Sequence, residues 1–390
     1  MKKLKTKPNV FIINTPYQLL NAIEAVHLFQ LTNNHLIVPL LKSAARERFM
    51  ALIKANDWVT VSFPSPFIES KPWVEKVFGR VVHRWYHRCL HLGRMITVAR
   101  LVARFKKVDK LFLGQYLVEH VPYMMHIANT IEYNTLCLLD DGTDTIEIAK
   151  RRQKIQRNDR EARFDQNNTN PSVGEPRQTH VRGKFWKWNL AEAKSLTFFT
   201  SYDIDVVPSD QLIRNDYSYL RSLASPQQID MSDTVLFLGL CVVDGEFEMN
   251  AHLEFLSMAR EYFAGKKFVY VAHPRESAAS VAKIRELLQC ELWPSSSVIE
   301  YDLIVRGVKP GAVAGFVSSA LLSLADLMDS DVDIVCFQIP PEYWLSWRED
   351  AIGVYHYLKE KAQPRVTMVP LPLREIESES HLSSSYRGAN

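Results

Sequence analysis

Short apolar runs of strand length recur along this chain, each followed by a stretch with helical spacing of its apolar residues. No other feature restricts the fold as much. VFIIN (10–14) is followed by PYQLLNAIEAVHLFQ, and HLIVPLL (35–41) by AARERFMALIKA. WVTVSF (58–63), KLFLGQ (110–115) and TLCLL (135–139) continue the series. A strand buried on both faces reads as a continuous apolar run, and a helix covering it shows a period of about 3.6 residues. Their alternation predicts a parallel sheet with helices on both faces. A second series runs through TVLFLGL (234–240), KFVYVAH (267–273), AVAGFVSS (312–319) and VDIVCFQI (332–339). Two such series in 390 residues predict an α/β protein of two Rossmann-like domains facing each other across a cleft.

The division is expected near residues 210–230, giving an N-terminal domain over 1–215, a C-terminal domain over 216–372 and a disordered Ser- and Glu-rich tail over 373–390. From Lys150 the texture becomes polar, basic and poor in aliphatics. A mobile basic loop is expected over about 150–190, ending in KFWKW (184–188).

Four lysines (Lys2, Lys3, Lys5, Lys7) precede the first apolar run, as in a leader peptide. The run ends at Ile13, however, and Gln18, Asn21 and Glu24 follow, so there is no adequate apolar region and no small-residue cleavage site. No uninterrupted apolar stretch reaches transmembrane length. The five cysteines are far apart and form no CxxC pair, which points away from a zinc site or a disulfide framework and toward a reducing compartment. The expected location is cytoplasmic, at most peripheral to the inner membrane. The net charge of +3 does not mark a nucleic-acid binder.

Several short motifs stand where predicted strands end, which is where open α/β sheets bind ligands. Asp140-Asp141-Gly142 closes TLCLL. The pair reads either as a solvated Asp-Gly turn or as a site that needs a base, where neighbouring carboxylates raise one another's pKa. A phosphatase-type DxDGT reading fails because Leu139 occupies the nucleophile position. His273-Pro274 closes KFVYVAH; the histidine is either a loop residue satisfied locally or a donor to a phosphate. Ser318 and Ser319 open a helix, either as plain caps or as part of an anion site at its N-terminus. Glu300 is an exposed loop acid or an acceptor for ribose hydroxyls. Gly239 permits close backbone approach, and Asp244, beyond it, is a turn residue or a second candidate carboxylate. Asp203 and Asp205 spell DxD, a weak metal-diphosphate pattern. No other metal-ligand spacing, GxGxxG or Walker A motif is present.

In order and placement, Asp140-Asp141-Gly142, His273-Pro274 and Ser318-Ser319 resemble the marks of the bacterial GT-B sialyltransferases, including the lipooligosaccharide sialyltransferase and polysialyltransferase families. VIEYDLIVRGVKPGAVAGFVSSALLSL resembles their nucleotide-site region, with Glu300 in the ribose-binding place, and NTPYQLLNAIEA is similar to the lipooligosaccharide branch. The resemblance implies a GT-B fold and a metal-independent, inverting transfer of a nonulosonic acid, above all N-acetylneuraminic acid, from its CMP donor to a cell-surface glycan of the lipooligosaccharide or capsule kind. It implies no cofactor beyond the CMP-activated co-substrate. Asp141, beside Asp140, would be the base. His273 would protonate or hydrogen-bond the leaving phosphate, with Pro274 beside it. Gly239, Glu300, Ser318 and Ser319 would line the CMP site, and Asp244 would be the alternative base.

Basic segments bear on the acceptor. Residues 80–107 interleave Arg84, Arg88, Arg94, Arg100 and Arg104 with aromatics and aliphatics. They read either as a solvated helix face or as a contact for an anionic glycan or anionic lipid. Two further readings stay open: a transferase using CMP-Kdo, CMP-pseudaminic acid or CMP-legionaminic acid, and a non-catalytic glycan-binding module.

Overall fold

A computed structural model of the protein describes residues 6–39, 46–54, 56–64, 93, 96–116, 122–168, 189–240, 249–345 and 348–372. Two wholly parallel sheets organise it. The first holds β1 (Asn9–Ile12), β2 (Asn34–Ile37), β3 (Thr60–Ser62), β4 (Val108–Leu113), β5 (Tyr133–Leu139), β6 (Thr197–Thr200) and β7 (Gln211–Arg214) in the order β3-β2-β1-β4-β5-β6-β7. The second holds β8 (Ile229–Leu238), β9 (Lys267–Val271), β10 (Glu291–Leu292), β11 (Val308–Gly315), β12 (Asp333–Gln338) and β13 (Val366–Pro370) in the order β10-β9-β8-β11-β12-β13. In each sheet the order reverses beside the first strand, between β1 and β4 and between β8 and β11. Crevices at the carboxyl ends of strands open at such points. The fold is thus the expected GT-B pair of Rossmann-like domains.

The first helix shows how local chemistry starts an element. In Thr15-Pro16-Tyr17-Gln18, the Thr15 hydroxyl accepts from the Gln18 backbone, Gln18 answers with its side chain, and Pro16 presets the first turn of α1 (Pro16–Leu28). Between the layers, Phe11 stacks on Phe112 at 4.2 Å, and Phe237 packs among Phe268, Phe316 and Phe337 in the second domain. Burying each ring contributes roughly 2–3 kcal/mol relative to leaving it exposed.

The other helices are α2 (Arg46–Lys54), α3 (Pro122–Ala128), α4 (Asp144–Asn168), α5 (Ser218–Ser222), α6 (Met249–Tyr262), α7 (Ala278–Leu288), α8 (Ile299–Arg306), α9 (Ser319–Leu327) and α10 (Arg348–Lys361), besides a helical stretch at 96–102. The linker helix α5 sits between the domains, with Leu220 packed beside Leu20 of α1, Leu327 of α9 and Ile304 of α8. Contacts from the second domain return to the first: the Asp203 amide donates to Tyr357 Oη at 2.8 Å, Lys361 pairs with Asp203 at 3.0 Å, and Asp326 pairs with Arg214 at 2.9 Å.

One expectation is corrected. The segment after Lys150 is not a loop throughout, because α4 continues to Asn168. Its Lys, Arg, Gln, Glu and Ala residues favour the helix despite few aliphatics. Arg152 anchors it by a bidentate pair with buried Asp210, at 2.6 and 2.7 Å, and a bond to the Ala193 carbonyl. Residues 169–188, with KFWKW, and the tail 373–390 lie outside the described residues. Of the basic stretch 80–107, only Gly93 and 96–107 are described; there Val98 and Val102 are buried while Arg100 and Arg104 are exposed. No helix among the described residues is long and apolar enough to cross a membrane.

Candidate active site

The turn after β5 separates its two acids. Asp140 is fully buried: its Oδ2 accepts from the Ser201 amide at 2.8 Å and from the Ser201 hydroxyl at 3.3 Å. Burial raises its pKa to about 6, against the pull of hydrogen bonds from Thr200 and Ser201. The expected mutual repulsion of Asp140 and Asp141 is not the cause. Asp140 lies beneath the cleft rather than in it, and Tyr217 donates to Ser201 at 3.3 Å while meeting Tyr17 Oη at 3.1 Å. A chain of hydroxyls therefore leads from Tyr17 to the Asp140 carboxylate. Burial raises the pKa of Tyr17, Tyr202 and Tyr217 well above the usual phenol value, so all three stay protonated.

Asp141 is partly exposed. Gln18 Nε2 donates to its Oδ1 at 2.5 Å, and its own amide reaches Thr145 Oγ1 at 3.4 Å. Gly142 follows at φ +60, the left-handed region that favours glycine. A Cβ placed on Gly142 would lie 3.4 Å from Ser319 Oγ in the second domain. The strand end carrying Asp141 and the helix start carrying Ser319 thus face each other across the cleft. At that helix start Ser318 is the N-cap, its hydroxyl accepting from the Ala320 amide at 3.3 Å. The first-turn N–H groups and the positive dipole end of α9 point toward the same space.

His273 lies half-buried two residues past the end of β9, and its Nδ1 accepts from the Arg275 amide at 3.2 Å, so the ring proton sits on Nε2. Burial, with the charges of Arg275 and Arg48, lowers its pKa to about 4. At neutral pH it is an uncharged donor. Pro274 beside it is exposed. Glu300 is not on a loop; it lies buried in the first turn of α8, its Oε1 accepting from Ser323 at 2.6 Å, and burial raises its pKa.

The space beside Gly239 is filled by the protein itself: a Cβ there would come within 2.5 Å of Tyr270 Oη and 2.6 Å of Glu276 Oε2. Glu276 in turn accepts from Tyr270 and from the His273 amide, so this glycine admits the support of the His273 turn. Asp244 lies outside the described residues. Asp203 is ion-paired to Lys361, and no three His, Cys, Asp or Glu side chains converge as metal ligands would among the described residues.

Gln18, Tyr17, Ser323 and Arg48 were not singled out from the sequence. Only Gln18 had a local signal, the capping pattern of Thr15-Pro16-Tyr17-Gln18. Buried acids give the site region a pH signature. Glu24 of α1, holding the amides of Tyr219 and Leu220 at 3.1 and 2.7 Å, is raised by burial to about 7. Glu24 and Asp140 both bind protons more tightly folded than unfolded, so their contribution is full below the unfolded pKa and is lost as pH rises through the folded values. Stability is expected to fall between about pH 4 and 7, by on the order of 3 kcal/mol per group. Urea midpoints across that range, with Glu24→Gln and Asp140→Asn flattening the slope, check this.

No family model matches the sequence, and no curated protein matches it significantly. Among solved structures, one assigned as a UDP-N-acetylglucosamine 2-epimerase from Listeria monocytogenes aligns over 91% of this chain and 89% of that chain, at 9% identity and a TM-score of 0.51. An α/β-galactoside α-2,3-sialyltransferase from Photobacterium phosphoreum aligns over 93% of this chain and 99% of that chain, at 12% identity and a TM-score of 0.48. A 2,6-sialyltransferase from Photobacterium sp. JT-ISH-224, solved in a ternary complex with CMP and lactose, aligns over 93% and 78%, at 11% identity and a TM-score of 0.48. At these identities the likeness concerns the two-domain fold.

Proposed function

We propose that this protein is an inverting glycosyltransferase that moves a nonulosonic acid, N-acetylneuraminic acid first among them, from its CMP donor to a hydroxyl of a cell-surface glycan. The observation that carries this reading is the close approach of Gly142, next to Asp141, to Ser319, next to Ser318, across the cleft. This supports a carboxylate working opposite a helix start that would bind an anion, with the uncharged His273 N–H two residues past a strand of the same sheet. The N-terminal domain would hold the acceptor and the C-terminal domain the donor.

In this mechanism Asp141 takes the acceptor hydroxyl proton as its oxygen attacks the anomeric carbon from the face opposite CMP. The bond to the phosphate oxygen breaks through an oxocarbenium-like transition state. The α9 N-terminus, the two serines and His273 Nε2–H stabilise the departing phosphate. His273 acts as a hydrogen-bond donor here rather than a general acid, since at neutral pH the ring is a neutral imidazole and not an imidazolium. CMP leaves with one phosphate, so the chemistry calls for no metal. Glu300, held by Ser323, accepts from the ribose hydroxyls.

Release of CMP from CMP-sialic acid, with and without a lactose-type acceptor, tests the reading. Acceptor-dependent turnover supports it. CMP binding with no turnover of any CMP-linked nonulosonic acid would sink it in favour of a binding module. Glu300→Gln is expected to weaken CMP binding about tenfold or more by calorimetry, the loss of a charge-assisted hydrogen bond.

A further inference from the structure

We infer that Gln18 is the positioning residue for Asp141, seated in a gap that exists because residue 114 is glycine. The inference rests on the reading of Asp141 as the base. Gln18 is fully buried on α1, and its amide has only one workable orientation. Its Oε1 accepts from the Asn14 amide at 2.6 Å and the Thr15 amide at 3.3 Å, so Nε2 is the end that donates to Asp141 Oδ1 at 2.5 Å. The oxygen side is fixed by the end of β1 and the nitrogen side by the end of β5. One side chain thereby ties the reacting carboxylate to the switch point of the first sheet.

The seat is made by Gly114, which follows β4. A Cβ there would overlap the Oε1, Cδ and Cγ of Gln18. A second link from the same helix holds the same turn: Asn21 Nδ2 donates to the Asp140 carbonyl at 3.3 Å. Neither Gln18 nor Gly114 is assigned a contact with substrate; both act through Asp141. A donor to the ionised carboxylate favours that form and fixes the orientation of the carboxylate.

The test titrates the Asp141 side-chain carboxyl by 13C NMR in the full chain, its resonance identified by its absence in Asp141→Asn. Gln18→Glu keeps an acceptor for the Asn14 and Thr15 amides but replaces the donor with a second carboxylate. The Asp141 midpoint is expected to rise by about one pH unit or more, and the acidic limb of kcat for CMP release to move up with it. Gly114→Ala, which displaces the Gln18 amide, is expected to move both in the same direction, and to add nothing in a Gln18→Ala background. An Asp141 midpoint unchanged in Gln18→Glu and in Gly114→Ala overturns the inference, whatever happens to the melting temperature. Should Asp141→Asn keep full turnover, the base assignment fails, while the NMR midpoint still decides whether Gln18 holds this carboxylate.

Discussion

Replacing Asp141 with alanine is expected to lower kcat for acceptor-dependent CMP release by at least about a hundredfold, the lower end of what a positioned general base contributes. The KM for the CMP donor should stay near its original value, because the donor contacts proposed here lie on the second domain, at Glu300, His273 and the start of α9. Asp140→Asn should behave differently. Its side chain is buried against Ser201, so the change acts on stability and its pH dependence before it acts on turnover. Steady-state kinetics on the two variants side by side separate the roles. An Asp141→Ala enzyme with undiminished kcat would move the base elsewhere.

The largest stability effect is expected from Arg152→Ala. Arg152 is buried, grips Asp210 with two bonds, reaches Glu192 at 3.3 Å and caps the Ala193 carbonyl. Asp210 also accepts from the Leu196 amide at 2.9 Å, so the cluster pins α4, the start of β6 and the turn before β7 to one another. Removing the guanidinium leaves Asp210 buried and uncompensated, a change that costs about 3–5 kcal/mol. In a domain of this size that corresponds to a fall in melting temperature on the order of 10 °C. Asp210→Asn should lose less, because the amide oxygen can still accept from the Leu196 amide and Arg152 keeps Glu192 and the Ala193 carbonyl as partners. Thermal melts of the two variants check the order.

The sheet pattern was legible because strands buried on both faces must be apolar throughout; VFIIN, TLCLL, TVLFLGL and KFVYVAH all lie on or overlap strands. β7, β10 and β13 were not read. Gln211–Arg214 carries polar residues at a sheet edge, and Glu291–Leu292 is too short to show a period. α4 was hidden because its apolar residues stop at Ala149 in the core; beyond them Arg152, paired with buried Asp210, anchors it. At the site, the motif positions at strand ends could be named from the sequence, but the different fates of Asp140 and Asp141 could not. Adjacent residues in a turn point in unrelated directions, and only the positions of Ser201 and Gln18 decide which acid goes in. Glu300 likewise looked like a loop residue, because the burial that defines it comes from packing of α8 against α9.

Helix α1 carries Gln18, Asn21 and Glu24 on one buried stripe, the same three residues that argue against a leader peptide. Each is satisfied from far along the chain: Gln18 by Asp141, Asn21 by the Asp140 carbonyl and Asn215, and Glu24 by the amides of Tyr219 and Leu220. The helix is therefore synthesised early with partners that emerge 119 to 196 residues later. Until then its polar groups must stay hydrated, since burying them unpaired is costly. The first sheet can form from its own strands, but α1 has no complete seat on it before the linker helix has left the ribosome. The finished seat of α1 thus depends on residues that follow the last strand of its own sheet, and the helix that holds the proposed base is completed by the linker between the domains.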